Sequence, residues 1–404
     1  METEKDTVML YVTLKENGFK PVVLGGLGAP VKWLGVVLVA SSLAACGGGD
    51  GGDPAPGGDA GANATGLTVR SLDPVTLDSE ETAVLMAPGS LFYQTVGMTQ
   101  GVLATFDPLA GYEQAGVDTS CDIRGQIRVV GSDLEDVSSP YTGALFNTVT
   151  TDDQDCLAGD TEGGPMNLQV HTDGVRTIGR PQTGVGAVGD ENTFIAFEQS
   201  GASPSDPYGV VMSMDGERLF GWARLWTGHV TLERGAGEYS SMGDGGGMSQ
   251  LYQLSQVATG EGVEAMRYNL QIGRPDVLMD YGYQVAEGDE PYNARSETYV
   301  GTYGWEWDTF GGQPAPATCP GGRVDVSADL YVQALPEGQD GILVTSDEVM
   351  LGTVVMKDAS GNTAVVSYDG TADVVTVALN GELGKSFSYE DINNLFIERC
   401  VVAQ

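Results

Sequence analysis

The chain has 404 residues, enough for two ordinary domains or one large β architecture, and 41% of them are hydrophobic, so it can bury a sizeable core. It carries 56 acidic against 19 basic residues, a formal net charge of −37 at pH 7. A body this negative repels nucleic-acid phosphates and anionic lipid head groups, which excludes nucleic acid as a partner. The imbalance begins after residue 45. Residues 1–45 hold four acids (Glu2, Glu4, Asp6, Glu16) and four bases (Lys5, Lys15, Lys20, Lys32), so the remaining 52 acids and 15 bases again sum to −37.

The first element in chain order is an uncharged apolar run of twelve residues, Leu34 to Ala45. A bilayer span takes about 20 residues. Twelve suits the hydrophobic region of a secretory signal. The run ends in Leu43-Ala44-Ala45-Cys46 and passes straight into GGGDGGDPAPGGD, which a buried core helix would not do. Ahead of it, METEKDTVMLYVTLKENGFK is mixed and partly acidic where a signal should be basic. VKWLGVVLVASSLAAC, read from Val31, is a compact signal with Lys32 supplying the charge. Residues 1–45 therefore read as a signal peptide whose true start is expected at Val31. Residues 46–66 read as a cysteine followed by a tether. From Gly47 to Gly66 the tether has no apolar residue larger than alanine apart from proline, so it cannot pack.

The segment Leu43-Ala44-Ala45-Cys46 resembles the lipobox of bacterial lipoproteins. In that family the signal is cut just before the cysteine, whose sulfur carries a diacylglycerol, with palmitate as a typical acyl chain. The resemblance implies a lipid anchor on Cys46 as the link to a membrane. Gly47, where family members retained in the inner membrane tend to have aspartate, implies the outer membrane, with its periplasmic and surface faces both open.

From Leu67 onward the hydrophobic period is two far more often than 3.6. In LFGWARLWTGHVTL, Phe220, Trp222, Trp226, Val230 and Leu232 share a face, with Arg224 the one charged residue in the run. In ETYVGTYGWEWDTF, Tyr299, Tyr303, Trp305 and Trp307 alternate with Val300, Thr302, Glu306 and Asp308. Further strands are predicted at 126–131, 193–198, 209–214, 323–333 and 341–345. The C-terminal part reads as a meander, with strands near 349–357, 363–368, 373–379 and 384–388. Its connections contain dipeptides that favour positive φ, such as Asp369-Gly370 and Asn380-Gly381. Ser388 and Asp391 form a capping-box pattern that opens one short helix through about Phe396. The fold class is all-β: a large antiparallel body of sandwich-like or barrel-like sheets, divided into a β-rich domain at 67–312 and a C-terminal meander at 313–404.

With Cys46 set aside, Cys121, Cys156, Cys319 and Cys400 remain, and three pairings are open. Bracketing of one β segment by each pair favours Cys121–Cys156 and Cys319–Cys400, in keeping with an oxidising location. Zinc fails on spacing: there is no C-x-x-C, and His171 and His229 have no near partner. The body also resembles a group of proteobacterial lipoproteins with no assigned activity. The resemblance rests on CDIRGQIRV from Cys121, CPGGRVDV from Cys319, and the order LPEGQDGILVTS, GNTAVVSYDGTADVVTVALNGE, SFSYEDI. It implies a cysteine-bracketed β segment before a long β middle and a final meander, and brings no site residues.

Candidate chemistry is sparse. Glu306 and Asp308 beside Trp305 and Trp307 are the residue types a glycosidase needs, an acid and a base or nucleophile next to rings that stack sugar. The competing reading is a strand with its rings in the core and its acids in water. Tyr299, Tyr303, Trp305 and Trp307 could instead form an exposed platform for a glycan or small ligand. The clusters Asp152-Asp153-Gln154-Asp155 and Glu287-Gly288-Asp289-Glu290 make calcium the one cofactor to consider, although neither fits an EF-hand loop. No G-x-S-x-G, P-loop, dinucleotide or haem motif occurs. A transmembrane β-barrel is disfavoured by the acyl anchor, by short strands and by the non-aromatic end VVAQ. The expectation is a lipid-anchored, acidic, β-rich envelope lipoprotein that acts as a non-catalytic binding or structural module, with a glycan, small ligand or envelope protein as partner. The alternative is an envelope enzyme acting on polysaccharide through Glu306 and Asp308.

Overall fold

The computed structural model describes residues 66–92, 118–129, 137–138, 145–159, 168–181, 184–185, 192–214, 216–233, 245–260, 266–285, 294–334, 348–370 and 374–401. The signal, Cys46, nearly all of the tether, the strand predicted at 341–345 and the Glu287–Glu290 cluster lie outside these residues.

The body is an antiparallel β structure, as its period-two patterning predicts. Short strands β1 (Asp118–Ser120), β2 (Arg124–Val129) and β3 (Val137–Ser138) lead into β4 (Leu145–Gly159) and β5 (Leu168–Pro181). The middle comprises β6 (Thr193–Ser200), β7 (Tyr208–Met214), β8 (Glu217–Glu233), β9 (Gly246–Thr259), β10 (Met266–Ile272), β11 (Met279–Gln284) and β12 (Ala294–Phe310). After β13 (Gln313–Pro314) come β14 (Gly322–Ala334), β15 (Glu348–Lys357), β16 (Thr363–Asp369), β17 (Val374–Leu379) and β18 (Lys385–Ser388). Strand lengths correct one expectation: β4, β8 and β12 run to 15, 17 and 17 residues and are not short.

The strands follow one another as a meander in a single sheet. Two rows are split. β6 and β7 lie end to end between β5 and β8, and β10 and β11 lie end to end between β9 and β12. Each break begins at a left-handed glycine, Gly201 (φ +78°) or Gly273 (φ +68°). A Cβ there would lie 2.9 Å from the Arg224 carbonyl oxygen or 2.4 Å from that of Leu251, so only glycine turns the chain out of the row.

The predicted meander forms as four paired strands, β15 to β18. At its last turn Asn380 (φ +52°) and Gly381 (φ +78°) both adopt the left-handed conformation that the dipeptide favours. Gly370 does not. Its requirement is steric, since a Cβ would meet Val349 Cγ1 at 1.8 Å. The boundary drawn after residue 312 crosses continuous structure: Ala294–Trp305 pairs with Gly322–Gln333, and one apolar cluster contains residues from both sides.

That cluster gathers inward side chains of strands from β5 to β18 around helix α1 (Glu80–Met86). In α1, Ala83, Val84, Leu85 and Met86 are consecutive and all buried, so the last turn of the helix is enclosed on every side, while Glu80–Thr82 are half-buried. The sequence reading does not include this helix. At seven residues it is too short to show a helical period, and packing decides it. The predicted C-terminal helix is α2 (Tyr389–Cys400), with the Ser388–Asp391 capping box formed as expected and one more turn than anticipated. α1 packs on β16, β17 and α2.

A second, smaller cluster lies on the other face of β7–β9, which defines the outer face. Strand parity separates the two: on β8, Trp226, Val230 and Leu232 face inward and Ala223 outward, while on β9, Leu251 faces inward and Tyr252, Leu254 and Ala258 outward. Leu67 and Val69 complete the outer cluster. The segment 66–92 is thus a strap. It starts on the outer face and passes the start of β14, where the Arg323 N–H donates to the Asp73 carbonyl (2.9 Å) and the Val75 N–H to the Arg323 carbonyl (3.1 Å). It then enters the interior at Leu77.

Both disulfides favoured from the sequence are present. Cys121–Cys156 ties the β1–β2 connection to β4, and Cys319–Cys400 ties the β13–β14 connection to the end of α2.

Candidate functional site

The predicted carboxylate pair stands on the outer face near the end of β12, and its partner comes from the strap. Arg70 Nη2 donates to Glu306 Oε1 at 2.8 Å and to Asp308 Oδ1 at 3.1 Å, while Nη1 reaches Glu306 Oε2 at 3.3 Å. Asp308 accepts two further bonds, from Asn269 Nδ2 (2.8 Å) and Gln256 Nε2 (2.9 Å). The Glu306 hydrogen bond leads the causes that raise the Arg70 pKa above its ordinary value. Neighbouring amides hold the strap backbone: Gln256 Oε1 accepts from the Thr68 N–H and Gln271 Oε1 from the Leu72 N–H. The carboxylates thus serve as receptors for the chain's own N-terminal segment.

The same holds inside the sheet. Arg295 and Glu297 are both fully buried and paired at 2.8 Å. Glu297 also accepts from Ser90 Oγ (2.5 Å) and the Leu91 N–H (3.1 Å), and Arg295 covers the Phe92 ring at 4.3 Å. Tyr368 donates to the Pro88 carbonyl at 3.1 Å, and Asp358 accepts from the Leu77 N–H at 2.9 Å.

A further ionic network lies on the inner face of β4–β8. Glu198 Oε1 accepts from Arg176 Nε (3.0 Å), from Arg224 and from Ser200 Oγ (2.6 Å). Burial pushes the Glu198 pKa upward, but the charges of Arg224 and Arg176 outweigh it and the net shift is downward. Nearby, Tyr208 donates to Asp153 at 2.9 Å, and burial holds the Asp153 pKa above the usual carboxylate range. The sequence reading missed this network. Arg224 breaks an apolar face at period two, and that mismatch was the available signal.

The outer face also carries a groove of about 450 Å³ across β8, β9, β11 and β12. Two cross-strand rows form it. One runs His229, Gln250, Asp280, Val300, and the other Thr231, Met248, Gly282, Thr298. Gln250 Nε2 donates to Asp280 Oδ1 at 2.7 Å. Met248 and Val300 are 64% and 57% exposed. Burial lowers the His229 pKa.

The aromatic platform is corrected: Tyr299, Tyr303 and Trp305 are buried in the core and Trp307 packs against it, with Phe396 5.9 Å from its ring. Tyr299 donates to the Gly89 carbonyl at 3.1 Å, and burial pushes the hydroxyl pKa values of Tyr299 and Tyr303 upward. Within Asp152-Asp153-Gln154-Asp155 the carboxylates have separate partners. Asp153 is buried on Tyr208, Asp155 pairs with Arg124 (2.8 Å) and His171 (2.7 Å), and Asp152 accepts from Gln154 (2.7 Å). Among the described residues no group of three or more metal-ligating side chains is gathered. Comparison of the chain with protein-family models, curated proteins and solved structures finds no match.

Proposed function

We propose that this chain is an acidic, β-rich lipoprotein of the bacterial envelope, anchored through Cys46 and acting as a non-catalytic binding or structural module. The observation that carries the non-catalytic part is the occupation of Glu306 and Asp308. A glycosidase pair needs one carboxyl free to give a proton and another free to attack or activate water. Here both are bound to Arg70, and Asp308 also to Asn269 and Gln256. Two disulfides support an oxidising compartment. The stretch Gly47–Gly66 leads in sequence into the strap, whose Leu67 lies on the outer face.

Mass spectrometry of the natural N-terminus tests the anchor. Acyl mass on Cys46 and absence of residues 1–45 support it, and an unmodified thiol or a retained leader overturns it. Incubation with polysaccharides and measurement of new reducing ends tests the absence of catalysis. Cleavage that is lost in both Glu306→Ala and Asp308→Ala would establish the enzyme instead.

A further inference from the structure

The outer-face groove centres on a glycine that the fold does not require. Gly282 lies inside β11 and is not among the left-handed glycines. A Cβ there would meet Thr298 Oγ1 at 3.4 Å and the Gly247 carbonyl oxygen at 3.8 Å, both ordinary contacts. Its neighbours differ. At Gly247 a Cβ would strike the Tyr283 ring at 2.5 Å, at Gly228 the Trp226 ring at 2.9 Å, and Gly301 has φ +158° with Met279 at 2.8 Å. Glycine inside a strand weakens it and often marks close approach of a ligand or another backbone. At Gly282 no other part of the described chain makes that approach, and the missing side chain leaves a notch between Met248 and Thr298.

We propose that this notch is a binding site for a neutral sugar ring of a glycan. The inference rests on the binding-module reading and supplies its site and ligand class. A pyranose ring has an apolar C–H face and a rim of hydroxyls that both donate and accept. The notch matches both. Met248 and Val300 give exposed apolar flanks, and methionine suits adaptable contact surfaces. Asp280, with one oxygen engaged by Gln250, keeps acceptor capacity for sugar hydroxyls, and Thr231 and Thr298 add hydroxyls that donate or accept. The groove, of about 450 Å³, is open on its solvent side, so a ring would rest on it with one face in water. The carboxylate at the site and the net charge of −37 select against anionic sugars. A cationic peptide would want several acids, and among the described residues Asp280 is the one acid lining the groove.

The test uses the full chain and five probes in three classes: gluco-, galacto- and manno-configured neutral tetrasaccharides, a uronic-acid tetrasaccharide, and a lysine-rich peptide. Binding is read by calorimetry, and occupancy by the rate at which peroxide oxidises Met248. One neutral tetrasaccharide is expected to bind and to slow Met248 oxidation. Gly282→Phe, which fills the notch, should abolish both effects, and Asp280→Asn should weaken binding about tenfold. Leu383→Ala, at a fully exposed turn outside the groove, should change neither. Should Gly282→Phe fail to fold, Met248 protection in the unaltered chain and the Asp280→Asn result still decide the matter. Binding that survives Gly282→Phe without protecting Met248 overturns the site and leaves the binding-module reading standing. Binding of the uronic-acid probe or the peptide alone overturns the ligand class. No binding of any neutral tetrasaccharide overturns the proposal, while the anchor reading is judged separately by the mass of Cys46.

Discussion

Arg70 and Glu306, 236 positions apart in the chain, meet through a guanidinium nitrogen 2.8 Å from a carboxylate oxygen, and the same nitrogen also reaches Asp308. This contact turns a pair of acids with the look of catalytic groups into a docking point for the strap. Both sides are partly exposed, so the bond contributes little alone. Its effect is to neutralise two like charges that would otherwise repel across one strand face. Arg70→Ala should lower stability by about 1 kcal/mol, and most of that loss should vanish in an Arg70→Ala, Glu306→Gln, Asp308→Asn background. Urea denaturation of the four chains measures it.

The interior pair should behave differently. Arg295 and Glu297 are fully buried, so removing one leaves an uncompensated charge. Arg295→Ala or Glu297→Ala should each cost about 3–5 kcal/mol, whereas the apolar double replacement Arg295→Met, Glu297→Leu should cost much less. Denaturant midpoints at constant slope test this. Equal losses in the single and double variants would mean that the ties to Ser90 and Leu91 dominate.

Asp153 and Glu198 predict opposite pH dependences within one network. The Asp153 pKa is raised by burial, so its folded state holds a proton more tightly than the unfolded chain does. Its contribution is fully present below the unfolded carboxyl value of about 3.9 and is lost as pH rises through the folded value. Glu198 is lowered, so its contribution is present above about 4.3 and is lost as pH falls through its folded value. Asp153→Asn keeps an acceptor for Tyr208 without the charge. It should raise the melting temperature at pH 7, and the gain should disappear near pH 3. A constant difference at both pH values would contradict the assignment.

Two glycines of the same sheet should respond in opposite senses. Gly282→Ala meets only ordinary contacts and should stabilise by about 0.5–1 kcal/mol. Gly304→Ala would place its Cβ 2.3 Å from the Gly322 carbonyl oxygen, which the β12–β14 pairing holds in place, and should destabilise severely. Thermal melts of the two variants check this directly.

Loss of either disulfide, through Cys121→Ser with Cys156→Ser or Cys319→Ser with Cys400→Ser, should cost roughly 4 kcal/mol by the loop-entropy estimate. The pair spanning 81 residues should cost more than the pair spanning 35. Denaturation with and without reductant measures both.

Local periodicity was enough to establish the all-β class, the alternation of Tyr299, Tyr303 and Trp305 with outward residues, the C-terminal meander and the Ser388 capping box. Each depends on residues only a few positions apart. Bracketing of β segments likewise pointed to the observed cysteine pairs. The roles of Glu306, Asp308, Arg224 and Glu198, the burial of α1 and the notch at Gly282 were decided by the tertiary structure. They depend on which strand lies beside which and on the path of the strap, and these bring together side chains that lie from tens to more than two hundred positions apart. A charge inside a period-two pattern reads the same whether it faces water, a buried partner or the chain's own strap, and only the assembled sheet determines which.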